Sequence, residues 1–293
     1  MRCAAILVSV LAAALPAVEM VDLPDAGDAG EDPGYGLGDA VSDARWEVGG
    51  VFAGITLIGV TSWKWGSSSF AFSDEGFFGD DTGSGGVDKL GHAYSSYLIA
   101  ELIASRLDDH TSPGRASAYA AILATGLMLY VETFDGFSGD HGFSWQDLVA
   151  NSVGIGFSVL RRTVPRVADF VDFRMAYWPS GEWYEYRPLS DYEGQTYILA
   201  FKLSGFESLA GTGLDWLEIH AGYGIDDWDS KSYTPGDGSS SEFILGIGVD
   251  LDRLLVRPWA HHAPRPAGWV STGLVYIQPP FTTLPVHTWE RER

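Results

Sequence analysis

The chain has 293 residues, 46% of them apolar, enough for one large domain or two modest ones with a real core. Its formal net charge is −21, from 39 acidic against 18 basic residues, and only four of the bases are lysines. Without clustered Lys and Arg, neither nucleic-acid binding nor docking on an anionic lipid surface through a basic patch is expected.

At the N-terminus, Arg2 precedes an apolar run from Ala4 to Ala17 that ends in small residues. A positive start, a short apolar core and small closing residues predict a secretory signal peptide over 1–17, cut near Ala14 or Ala17. The run falls short of the roughly 20 residues needed to span a bilayer. Cys3, the single cysteine, stands ahead of the run rather than behind it, so it does not match the lipid-modified position of a lipoprotein. Cleavage would leave no thiol, which excludes disulfides, thiolate catalysis and cysteine metal sites. Residues 18–44 carry Asp22, Asp25, Asp28, Glu31, Asp32 and Asp39 among Gly and Pro. Such a stretch buries too little apolar surface to offset its ordering entropy, and a flexible linker is expected.

From 45 to 165 the pattern is helical. Val48–Val60 is nearly unbroken apolar sequence flanked by Trp46, Trp63, Lys64 and Trp65, which suits a membrane interface or a buried helix. A Gly/Ser/Asp-rich loop fills 66–86. Helices are predicted at about Asp88–Leu107, Ser117–Phe134 and Trp145–Arg162, each apolar around most of its circumference and so buried in protein or in lipid. Between the last two, Asp135–Ser144 carries the unit Gly-Phe-Ser twice, a glycine-punctuated connection.

After Pro165 the pattern turns to β. Strands are predicted at Gln195–Leu203, Trp216–Tyr223, Glu242–Leu251 and Gly268–Ile277, with an acidic loop at Asp226–Ser241. His261 and His262 fall in a Pro-rich turn at the surface. Four strands cannot close a membrane barrel, whose smallest form has eight. The expected class is α+β: an apolar bundle of about four helices over 45–165, in protein or membrane, then a small antiparallel β region over 166–293.

Three pairs of polar residues stand in the apolar helices: Asp88 with His92, Glu132 with Asp135, and Asp147 with Asn151. Spacings of three and four put each pair on one face. All lie near helix ends, so an antiparallel bundle would bring them to one end, with Lys89, Ser138, His141 and Ser144 in reach. Buried ionisable groups need partners. One solution is mutual: a network that locks the bundle. A second is a divalent metal, Mg, Mn or Ca, held by Asp88, His92, Glu132, Asp135 and Asp147. A third is a site for a small polar ligand. Ser144-Trp-Gln-Asp147 also fits a helix-capping pattern, and Asp88 suits a helix N-terminus. Gly136–Asp140 lacks the second glycine of a nucleophile elbow, and Asp135–Asp147 does not keep the register of a calcium-binding EF-hand loop.

On three ordered motifs the chain resembles the YfiM-like family of predicted periplasmic lipoproteins. They are Asp88-Lys-Leu-Gly-His92-Ala-Tyr, Glu132-Thr-Phe-Asp135-Gly-Phe-Ser138, and Gly142-Phe-Ser-Trp-Gln-Asp147-Leu-Val-Ala-Asn151-Ser-Val-Gly154. Longer members look similar at Asp191–Tyr197 and Trp216–Gly224 as well. More remotely, the order Asp-Lys-x-x-His, acid, Asp-x-x-x-Asn is similar to VanZ-like membrane proteins. The resemblance implies an exported protein of the periplasm or membrane-associated envelope, and carries no established reaction. The expected function is a non-enzymatic, membrane-associated structural or accessory protein that engages an envelope protein or lipid. The alternatives are a metal-dependent hydrolase or transferase acting on a lipid or cell-wall precursor, and a module that binds a small polar ligand.

Overall fold

A computed structural model describes residues 34–78, 82, 84–181, 188–209, 211–229 and 234–292. The predicted signal peptide and the first part of the predicted linker lie outside the described residues. Contacts divide the chain into two units, Met1–Ser73 with Ser95–Thr163, and Asp74–Tyr94 with Val164–Arg293. With eight helices and a five-stranded antiparallel sheet among the described residues, the class is α+β.

The first unit is helical: α1 (Leu37–Asp43), α2 (Arg45–Thr61), the C-terminal part of α3 (Val87–Leu107), α4 (Pro113–Asp135) and α5 (Trp145–Thr163). The expected linker ends earlier than 44, because α1 forms within it. The Asp39 carboxylate accepts the Gly36 N–H at 2.8 Å and opens the helix. Ala40 and Ala44 then pack, fully buried, on Ile103, Ala104 and Leu107 of α3 and Ala116 of α4. Pro113 at the start of α4 needs no N–H partner there, which suits a first helical turn. Near the far end of α5, Arg162 pairs with Asp108 at 2.5 Å and with Glu101 at 3.5 Å, and Ser158 donates to Glu101 at 2.8 Å.

Trp65, whose position suggested an interfacial aromatic, is buried instead. Its ring lies on Gly59, where a Cβ would come within 2.3 Å of the indole. Its Nε1–H donates to Asp135 at 2.6 Å. An amphipathic ring with a satisfied polar handle packs well inside a protein.

The second unit holds α6 (Pro165–Phe170), β3 (Val171–Tyr177), β4 (Gln195–Lys202), β5 (Leu217–Asp229), β6 (Thr234–Val249), a π-helical turn at Asp252–Val256, α7 (Arg257–Ala260), α8 (Pro264–Tyr276) and β7 (Thr283–Glu292). The sheet is a meander in the order β3-β4-β5-β6-β7, every pair antiparallel. Two expectations are corrected. Gly268–Ile277 is helical over most of its length: Pro264 presets the first turn, and Ala267, Ser271 and Leu274 turn inward at helical spacing. The acidic segment Asp226–Ser241 is mostly hairpin, with Asp226 opposite Ser240 and Asp229 opposite Thr234 across a bulge. Strand pairing there extends past the apolar part of β5 and β6.

The two faces of the sheet differ in kind. One face carries Asp172, Arg174, Glu218 and His220, all buried. The other is apolar in successive cross-strand rows: Tyr197–Tyr223–Phe243–Trp289, then Leu199–Ala221–Leu245–His287, then Phe201–Ile219–Ile247–Leu284. The Asp74–Tyr94 segment covers one end of this apolar face. Tyr94 packs edge-on against Phe173 and Tyr197 at 5.5 and 5.7 Å between ring centres, and the Tyr223 hydroxyl donates to the Gly85 carbonyl.

Candidate functional site

In the helical unit the end of α4 meets the start of α5. The connection is shaped by the repeated Gly-Phe-Ser. A Cβ on Gly136 would lie 2.3 Å from the Phe70 ring, and one on Gly142 would lie 2.6 Å from Ser73. Only glycine lets the segment 66–73 approach, and its end, β1 (Phe72–Ser73), then pairs in parallel with β2 (Phe143–Ser144). Phe70, Phe137 and Phe143 pack together above the turn. Ser138 fixes the turn, donating to the Trp63 carbonyl at 2.6 Å and accepting the Asp140 N–H. His141 is half-buried in the same connection.

That geometry delivers a buried polar cluster. The Asn151 amide donates to Glu132 Oε1 at 3.0 Å. Ser96 of α3 donates to the Asn151 carbonyl at 3.0 Å. Ser144 accepts the Asp147 N–H at 3.3 Å, as the capping pattern predicts, and donates to Gln146 at 3.2 Å. Glu132 is 0% exposed and Asp147 5%, and carboxylate oxygens of the two lie within 4.8 Å of each other. Two carboxylates so close form an oxygen-rich pair suited to a hard cation or to a shared hydrogen-bond network.

The structure thus brings Glu132, Ser144, Asp147 and Asn151 together, while Asp135 turns to Trp65 and Ser138 to the loop. Asp88, Lys89 and His92 occupy the first two turns of α3, which group by contact with the sheet-bearing unit. There the Lys89 ammonium, 3% exposed, binds Asp88 at 2.8 Å and Glu75. Asp88 Oδ1 is buried and has no hydrogen-bond partner among the described residues. His92 is half-buried, one turn on from Asp88 along the same helix.

A second polar cluster, on the inner face of the sheet, escaped the sequence reading. Arg174 makes two 2.8 Å bonds to Glu218, one of 2.6 Å to Asp172 and one of 3.0 Å to Gln278. His220 bridges Glu218 at 3.0 Å and Thr283 at 2.7 Å, and Lys202 pairs with Asp172 at 2.9 Å. The signal was present: Asp172 and Arg174, and likewise Glu218 and His220, are two apart, which places each pair on one face of a strand. Burial works against the charged form of Glu218, but the bonds from His220 and Arg174 outweigh it and hold its carboxyl below the usual range. Burial pushes the neighbouring Asp250 the other way, up.

For a carboxyl with a lowered folded-state pKa, the stabilisation is present above the unfolded value of about 4.3 and is lost as pH falls through the folded one. Thermal melts should therefore drop steeply in acid. In Glu218→Gln the melt should already be lower at neutral pH, with a shallower further loss in acid. An unchanged acid profile in that variant would exclude Glu218 as the sensitive group.

The whole is thus an α+β protein with one polar cluster inside its helices and another beneath its sheet. Residues 74–163, which span the α3–α5 region, match the family described as predicted periplasmic lipoprotein (DUF2279). The three motifs of the sequence reading all fall inside that match, and the protein is accordingly an exported one of the periplasm or envelope. No curated protein and no solved structure matches the chain.

Proposed function

We propose that the protein is a non-enzymatic, membrane-associated accessory component of the bacterial envelope, engaging lipid or another envelope protein through apolar helix faces. The supporting observation is α2. No residue from Val48 to Thr61 is charged, yet of these only Gly59 is buried, and Leu57 and Val60 are 66% and 62% exposed. On α5, Trp145, Val149, Val153 and Leu160 continue the pattern at helical spacing, all exposed. Exposed apolar helix faces of this kind mark contact with a membrane or partner. Within this reading the helices form a bundle, and Glu132, Ser144, Asp147 and Asn151 lock it. α4, long and apolar enough to cross a membrane, lies at its centre. Fractionation of the expressed protein tests this: it should sediment with membranes and resist release by salt, and recovery wholly in the soluble pool would refute it.

A second reading is supported by the proximity of Glu132 and Asp147. It is a divalent cation held by these acids in a hydrolase or transferase acting on a lipid or cell-wall precursor. Protein purified without chelator would then carry stoichiometric metal, lost in Glu132→Gln. Absence of metal, with a melt indifferent to EDTA, rejects it.

A further inference from the structure

The five-stranded sheet buries a charged network on one face and exposes hydrocarbon on the other. On the outer face of β4 to β7, the three rows from Tyr197–Trp289 to Phe201–Leu284 contain no Asp, Glu, Lys or Arg, although 19% of the chain is charged. Much of that face is open: Phe243, Ile247, Leu284 and Trp289 are 45–69% exposed. A sheet facing water on one side shows the opposite alternation, charged outward and apolar inward. Apolar outside and polar inside, with small residues such as Ala200 and Gly248 beneath, is the alternation of strands that face lipid.

We infer that this face rests in the acyl layer of a lipid membrane, an inference that builds on the membrane-associated reading above. Two features favour lipid over a second copy of the chain. One margin is a wholly aromatic cross-strand row, Tyr197–Tyr223–Phe243–Trp289, of which Phe243 and Trp289 are exposed, and the next row outward turns polar at Ser241 and Arg291, while Phe201 is the one aromatic of the far row. Aromatic side chains at such a margin suit the headgroup boundary. The band from Phe243 to Ile247 is about 13 Å deep at ~3.3 Å per residue, less than half of a ~30 Å hydrocarbon core. The sheet therefore enters one leaflet without spanning, and its open edges need not cross the apolar interior. With a net charge of −21, attachment depends on apolar burial and not on attraction to anionic headgroups.

The test uses the full chain with phosphatidylcholine vesicles. Leu245→Glu with Ile247→Glu removes the sheet face, and Leu57→Glu with Val60→Glu removes the helix face. The sheet variant should lose at least tenfold in vesicle partitioning while keeping its far-ultraviolet dichroism and melt, and wild-type binding should be insensitive to salt. In case the sheet variant misfolds, an environment-sensitive fluorophore on Leu245→Cys, in a Cys3→Ser background, should shift blue with vesicles and be quenched by doxyl lipid. If only the helix variant loses binding and the fluorophore stays in water, the sheet inference falls and the membrane reading stands. If wild type ignores vesicles altogether, the sheet inference falls, and the accessory reading stands or falls on the fractionation above. If the sheet variant converts a dimer to a monomer with vesicle binding unchanged, the face is an interface between copies and the inference is overturned.

Discussion

Arg174→Ala should lower the stability of the sheet-bearing unit by about 3–5 kcal/mol, read from denaturant midpoints at neutral pH. The guanidinium contacts Glu218, Asp172 and Gln278, all buried. Its removal leaves Glu218 with only His220 and Asp172 with only Lys202 beside it, and the cost comes chiefly from two buried carboxylates losing their shared counter-charge. Replacing Arg174 with Met and Glu218 with Leu together should therefore be milder than the single change, because a buried ion pair can be exchanged for apolar packing at little cost. If Arg174→Ala alters stability by under ~1 kcal/mol, water reaches the network and its buried description is wrong.

Gly248→Ala should cost about 3 kcal/mol, at the upper end of overpacking effects. Gly248 lies opposite Glu218 across the β5–β6 pair, and a Cβ there would come within 2.0 Å of the His220 ring. The ring cannot swing aside freely, since Glu218 and Thr283 hold its two nitrogens. Most of the cost should vanish in a His220→Ala background, giving a large coupling in a double-mutant cycle. Additive effects of the two changes would show that the strand shifts instead of the ring.

Much of the helical part was legible in sequence because apolar periodicity over twenty residues leaves little choice, and because Ser144 and Asp147 form a recognisable start signal. α1 was hidden in an acidic stretch whose average composition masked Ala40 and Ala44, two small residues whose burial depends on helices more than fifty positions away. β3 was missed for a related reason. Asp172 and Arg174 look like loop residues until Glu218 and Lys202, far along the chain, supply their counter-charges. β7 went unnoticed as well; its Pro285 sits next to the irregularity between Leu245 and Gly246 on an edge strand, a position that tolerates a missing N–H. For α8, β-branched residues pointed to strand, and the proline start signal outweighed them. Of the proposed site, same-helix spacing singled out Glu132, Asp147 and Asn151, and the fold places the three side by side. The direction in which Asp135 points was set by Trp65, seventy residues earlier, and no local pattern encodes that.

The sheet-bearing unit is discontinuous: its Asp74–Tyr94 portion is made first, then Ser95–Thr163 intervenes, and the strands follow. During synthesis Tyr94 must wait, without Phe173 and Tyr197 to cover, until the later strands emerge. Closing a loop of that length costs only a logarithmic entropy term, about 0.6 kcal/mol per doubling, so the delay is one of timing more than of stability. A fragment beginning at Val164 would carry every strand and still lack the lid for its own tyrosines, and we expect it to aggregate where the intact chain does not.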